Sequence, residues 1–167
     1  MSGEKVQIRS MQSRVGRDNQ RYGAQGERLV CGVVPLSKDM KSVLLIQSTR
    51  RGNWVLPKGG WEKDEATPIE AAKREAWEEA GIICSVKRDL GMIDEKRPEE
   101  VLKRPDVQKE APKASYHFFE VVVEREEADW PEAKKRSRKW VAVAEAREAL
   151  KERPELLEAL DRSISGR

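Results

Sequence analysis

Glu75, Glu78 and Glu79 are the densest set of groups in this chain able to do chemistry. At spacings of i, i+3 and i+4 they share one face of a helix. Three carboxylates so placed repel one another, and Arg74, four residues before Glu78, can offset part of that repulsion. A hard divalent cation offsets far more, because Mg²⁺ binds carboxylate oxygens together with water and substrate phosphate. Such a set can hold a metal and supply a base for a water nucleophile, with no Ser or Cys nucleophile required. An acidic helix face alone is ordinarily just solvated. What sets this one apart is the pair Gly59-Gly60, which enters the helix from a Trp-Val-Leu-Pro strand at residues 54–57.

The elements that must position these groups are marked in the sequence. Thr67 is an N-cap, Pro68 takes the first helical position and Glu70 is placed to complete a capping box. Gly81 supplies a left-handed C-terminal cap. Ile69, Ala72, Ala76 and Ala80 make an apolar stripe beside the glutamates. Strands are expected over 28–35 and 43–47, joined by a hairpin turn at 37–41, and then around Trp54. Further strands are expected over 83–93 (single or a bulged pair), 115–123 and 140–143. Helical pieces follow at 144–152 and from Pro154, where Leu156, Leu157 and Leu160 form an apolar stripe. Strands bracketing one central helix, plus a terminal helix, predict a layered α+β domain. The polar residues 1–26 read as a flexible N-terminal segment, leaving 27–167 as a single domain. The charged stretch at about 95–114 is too long for an ordinary connector and reads as a loop insertion.

The chain has 167 residues and a formal charge of +3, with its acid concentrated in the helix, so basic patches elsewhere suit an anionic ligand. No apolar run is long enough for a transmembrane helix and no signal peptide opens the chain, so no membrane partner is expected. Cys31 and Cys84 have neither metal nor disulfide spacing and are expected to be reduced core residues of an intracellular, cytoplasmic and nuclear protein. His117, the one histidine, is expected to pack within its strand.

The stretch from Gly59 to Ile82 resembles the Nudix hydrolase signature, G-x5-E-x7-R-E-U-x-E-E-x-G-U with U apolar. Gly59, Glu65, Arg74, Glu75, Ala76, Glu78, Glu79, Gly81 and Ile82 occupy its fixed positions. Eight residues rather than seven separate Glu65 from Arg74, the extra one falling in the Ala66-Thr67 turn. The resemblance implies a mixed β-sheet sandwiched between α-helices. A narrower resemblance, to fungal diphosphoinositol polyphosphate phosphohydrolases that also cleave diadenosine polyphosphates, runs from about Ser13 to Ile164. It is carried by RDNQ, GERLV, NWVLPKGGWEKDE, REAWEEAG, YHFFE, KKRSRKW and RPELLEALDRS.

That resemblance implies roles. Glu75 and Glu79 correspond to Mg²⁺ ligands, with Mn²⁺ or another divalent ion as a substitute, and Glu78 to the acceptor of water's proton. The Lys58 backbone carbonyl, next to Gly59, corresponds to a further metal contact, and the Lys58 side chain adds a phosphate contact. Substrate contacts map to Arg28, where Gly26 and Glu27 replace lysines of animal relatives, to Ser48, Thr49 and Arg50, and to Arg136 and Arg153. Arg17 and Lys113 align more loosely. The implied reaction removes the β-phosphate of inositol pyrophosphates and extends to diadenosine polyphosphates and inorganic polyphosphate. A monomer with no stable nucleic-acid partner is implied.

Two rivals remain open. A hydrolase acting mainly on dinucleoside polyphosphates or capped RNA would stack a base, and Trp61 is the aromatic candidate. A non-catalytic polyphosphate- or RNA-binding module would use the basic run at 134–139, but that run lacks interleaved aromatics apart from Trp140, and the three helix glutamates are intact.

Overall fold

The computed structural model describes residues 9–50, 52–95, 103 and 112–166. Among them are seven strands: β1 (Arg28–Leu36), β2 (Ser42–Gln47), β3 (Trp54–Val55), β4 (Lys58–Gly60), β5 (Ile82–Glu95), β6 (Ala114–Glu126) and β7 (Arg138–Ala142). The helices are α1 (Pro68–Ala80), α2 (Val143–Ala149) and α3 (Pro154–Ser165). The strands form one sheet in the order β3-β2-β1-β6-β5, with β4 beside β1 and β7 beside β2. β1 and β6 run parallel and the other pairings are antiparallel, so the sheet is mixed. No described helix is long and apolar enough to cross a membrane.

Register decides which helix covers which face. Gly32 lies opposite Phe118 and Lys58. A Cβ there would meet Phe118 Cε1 at 2.7 Å and Lys58 Cβ at 2.8 Å, so Gly32 is what lets Lys58 lie across the strand. Two residues beyond Phe118, on the same face, buried Glu120 accepts from Ser163 Oγ of α3 (2.7 Å) and Arg88 Nε (2.7 Å). The neighbouring pair, Cys31 and Gly59, points the other way, because a Cβ on Gly59 would overlap the Glu75 carboxylate of α1. α1 and α3 therefore cover opposite faces, as the α+β sandwich requires. Val33, Leu44, Leu45, Ile46, Phe118, Leu156 and Leu160 fill the interior fully.

Several local expectations change. Ile69 is 38% exposed and leaves the apolar stripe, while Ala71 joins Ala72, Ala76 and Ala80 against the sheet. The Glu70 carboxylate accepts from the Ala66 N–H (3.0 Å) rather than from that of the capping Thr67. The 83–93 stretch is one strand, β5, carrying three register shifts against β6. Residues 9–26 differ from the flexible segment expected. Gln20 is buried and its Nε2 donates to the carbonyls of Arg21 (2.7 Å) and Leu29 (2.8 Å), and bridges join Gln20 to Glu62 and Tyr22 to Arg28. The segment is anchored by hydrogen bonds, which a search for apolar anchors does not find. Residues 1–8, and most of the insertion at 95–114, lie outside the described residues.

Candidate active site

α1 is fixed at both ends. Thr67 Oγ1 accepts from the Glu70 N–H (3.3 Å), Pro68 opens the helix and Gly81 closes it at φ +66°. The last carbonyls also find side-chain donors. Trp130 Nε1 donates to Glu79 O (3.1 Å), Arg138 Nη1 donates to Ala80 O (2.7 Å), and the Arg138 guanidinium stacks 4.2 Å from the Trp130 ring centroid.

The acidic face of α1 is not solvated. Glu75 is 7% exposed and Glu78 4%, and Glu65, from the loop before the helix, is 5% exposed. Arg74 sits among them and spends every donor of its guanidinium. Its Nε and Nη2 reach Glu65 (2.8 and 3.0 Å), Nη1 reaches Glu75 (2.8 Å) and Glu78 (3.2 Å), and Nη2 also reaches Gly60 O (2.8 Å). Burial alone would lower the Arg74 pKa, but these carboxylates outweigh it and hold the group charged. The extra residue before α1 is absorbed without loss of the Glu65 pairing. One guanidinium does not neutralise the set. Burial, reinforced by Glu79, pushes the Glu75 carboxyl well above its ordinary range. Burial also raises Glu78 against the pull of Arg74.

Glu79 faces a different neighbourhood. Its Oε1 accepts from the Lys58 N–H (3.2 Å) and lies 3.8 Å from Arg136 Nη1. Burial pushes its pKa up to about 7 despite Lys58 and Arg136. Burial lowers the Lys58 pKa, with Glu79 and Glu75 opposing the shift and Arg153 and Arg136 adding to it. Arg136 also donates to Glu132 Oε1 (2.8 Å) and Gln47 O (3.3 Å). Its Nε is the one buried side-chain nitrogen or oxygen without a partner among the described residues. Arg153, at the N-cap position of α3, pairs with Glu155 (2.6 Å) and approaches Tyr116 Oη (3.5 Å). Arg28 donates from Nε to Gln20 Oε1 (2.9 Å), and burial followed by the nearby Arg17 charge lowers its pKa.

Glu75, Glu79, Lys58, Gly59 and Arg136 thus meet at the β4–α1 junction, with Arg153 in the field of Lys58 and Arg28 in the field of Glu75. The other expected contacts stand further out. Arg17 and Lys113 are exposed, though the Lys113 carbonyl accepts from the Arg28 N–H (3.5 Å). Thr49 and Arg50 are exposed and Ser48 is half-buried, in a loop whose hydrogen bonds are internal and whose Gln47 neighbour touches Arg136. His117 packs on Phe119 and pairs with Asp89 (2.7 Å). Trp61 donates to Glu65 O (2.9 Å), and Arg21 covers one ring face at 4.6 Å. Cys31 is buried, whereas Cys84 is only partly so, and both are free thiols.

Sequence reasoning missed Glu132, Gln20, Trp130 and Arg138. Trp130 and Arg138 act through contacts more than fifty residues apart, and Gln20 and Glu132 through polar contacts, the i,i+4 pair of Glu132 with Arg136 among them, that no apolar pattern marks. Among the described residues no three His, Cys, Asp or Glu side chains form a self-sufficient metal cluster. Two carboxylates, buried Glu75 and half-buried Glu79, whose charges disfavour each other, still fit a hard cation that completes its shell with water and phosphate oxygens.

Known proteins share this chain's sequence and fold. The NUDIX domain model matches residues 26–162. The chain is 38% identical over 143 residues to Nudix hydrolase 21, chloroplastic, of Arabidopsis thaliana, covering 82% of this chain and 67% of that protein. It is 37% identical over 149 residues to Nudix hydrolase 4 of the same plant, covering 83% and 67%. A NUDIX hydrolase structure from Nitrosomonas europaea has the same fold, with a TM-score of 0.66 at 18% identity, covering 84% of this chain and 90% of that one. The chain belongs to the Nudix hydrolase family of pyrophosphohydrolases.

Proposed function

We propose that this enzyme is a Mg²⁺-dependent phosphohydrolase that removes the β-phosphate of diphosphoinositol polyphosphates and also cleaves diadenosine polyphosphates and inorganic polyphosphate. The observation that carries the reading is the cationic knot beside the acidic helix. Burial disfavours the Lys58 charge, the neighbouring Arg153 and Arg136 charges add to that, and Arg136 keeps a buried Nε unpartnered. Such a group of cations is stabilised by a densely charged anion, and the planar fork of Arg suits phosphate oxygens. The resemblance to the fungal enzymes supports the same substrate class.

Glu75 and Glu79, with the Lys58 carbonyl beside Gly59, are the residues to hold Mg²⁺. When bound, the ion supplies charge neutralisation on the phosphate oxygens. Glu78 accepts the proton of the attacking water, and its raised proton affinity makes it a stronger base for that task. Lys58, Arg28, Arg136 and Arg153 bind the phosphates, with Ser48, Thr49, Arg50, Arg17 and Lys113 as the outer rim. The dinucleotide alternative loses support at Trp61, whose indole N–H is spent on Glu65 and whose ring Arg21 covers on one face. The test is turnover with Mg²⁺ on a diphosphoinositol polyphosphate, a diadenosine polyphosphate and inorganic polyphosphate. The highest kcat/KM is expected on the inositol substrate. A preference of tenfold or more for the dinucleotide, about 1.4 kcal/mol in transition-state binding, would replace this reading with the alternative.

A further inference from the structure

Glu78 is gripped from two sides, and one grip comes from outside the residues matched by the family, 26–162. Residues 10–14 run past α1. Trp77 Nε1 donates to Ser10 O (2.8 Å), Ser13 Oγ donates to Glu132 Oε2 (2.8 Å) and the Arg14 backbone N–H donates to Glu78 Oε1 (3.2 Å). The Arg14 guanidinium is clamped by Glu62 and Asp64, both at 2.7 Å. The second grip, Arg74 on Glu78 Oε2, is the longest of that guanidinium's five hydrogen bonds at 3.2 Å, because Glu65, Glu75 and Gly60 share the same donors. Arg74 holds one oxygen of this carboxylate and the Arg14 N–H the other, each at 3.2 Å, so the two contacts together set its direction.

We propose that residues 10–14 form a strap that positions the Glu78 carboxylate for proton transfer, with Arg14 as the positioning residue. The inference rests on the reading of Glu78 as the base. The ion pairs of Arg14 with Glu62 and Asp64 fix where its N–H points, and that N–H fixes Oε1. Each carboxylate oxygen has two acceptor sites. One per oxygen is taken by the protein, so the carboxylate is oriented yet still able to accept from water. Ser13, one residue earlier, holds Glu132, whose other oxygen carries Arg136, and so ties the strap to the phosphate-binding side as well.

The experiment is a mutant cycle on the full-length protein, with KM and kcat measured for wild type, Arg14→Ala, Arg14→Lys, Glu78→Gln and Arg14→Ala/Glu78→Gln, and melting temperatures recorded alongside. Hydrogen exchange at the Arg14 amide, compared between wild type and Glu78→Ala, reports the contact without turnover. Arg14→Ala is expected to lower kcat about tenfold at unchanged KM, as loss of orientation does. Arg14→Lys restores part of the loss, and Arg14→Ala has no further effect once Glu78 is Gln. The Arg14 amide exchanges faster in Glu78→Ala. Equal fractional losses in both backgrounds, an unchanged kcat in Arg14→Ala, or an Arg14 amide indifferent to Glu78 overturns the strap and leaves the base assignment standing. Full turnover by Glu78→Gln overturns the base assignment, and the strap's role with it.

Discussion

At the scale of the residue, the site is a case of buried charges that do not sum to zero. Burial raises the proton affinities of Glu75, Glu78 and Glu79, and Arg74 offsets the rise at Glu75 and Glu78 without cancelling it. The sign of the consequence for stability follows. The Glu79 carboxyl rises from an ordinary 4.5 to about 7, so between those values the folded protein holds a proton that the unfolded chain releases. Stability from this group is complete below about pH 4.5 and is lost as pH rises toward 7. In EDTA, the melting temperature is expected to fall across that window, and Glu79→Gln to shrink the fall. Mg²⁺ should then raise the melting temperature more at pH 8 than at pH 5, because the ligand must be deprotonated to bind. An equal Mg²⁺ effect at both pH values would contradict the assignment of Glu79.

At the scale of the element, β4 and α1 approach so closely that a side chain at Gly59 has no room. Its Cβ would stand 2.2 Å from the Glu75 carboxylate, whose far end can swing away. Gly59→Ala should therefore keep the fold and displace Glu75, and a misplacement of about 1 Å lowers kcat by about 10²-fold. Turnover and melting temperature measured together check this, and a variant with wild-type turnover would mean that Glu75 has slack. α3 enters the site through Arg153 at its start. Arg153→Glu should raise KM for the inositol substrate more than it lowers kcat, since a phosphate contact binds ground and transition states alike. An unchanged KM would return α3 to a packing role.

What the sequence made legible divides along the same scale. Thr67, Pro68 and Gly81 bound α1 as expected, because caps act within a few residues. The shared face of Glu75, Glu78 and Glu79 follows from helical period alone. Their burial does not follow from it, because it depends on Glu65, Gly60 and the segment before Gln20 closing over them. Trp130 and Arg138 cap α1 from more than fifty residues away in sequence. Ile69 has the period of the apolar stripe yet faces solvent, because Ala71 fills the inward position of that first turn. The lead-in before Gly26 looked unanchored because its anchors are polar.

At the scale of the whole molecule, the sheet brings two charge populations together. α1 presents its carboxylates beside β4, and Lys58 of β4, Arg136 from the loop before β7 and Arg153 at the start of α3 supply positive charge next to them. In the proposed reading, a phosphoanhydride has its phosphate oxygens among the cations and its reacting centre beside the acids. The measurement that tests this most directly is kcat of purified Glu78→Gln on a diphosphoinositol polyphosphate with saturating Mg²⁺, alongside its melting temperature. The substitution keeps shape and an acceptor oxygen but removes the base, so kcat should fall by about 10²-fold or more while the melting temperature stays at or above that of wild type. Wild-type kcat in a folded variant would contradict the account at its centre.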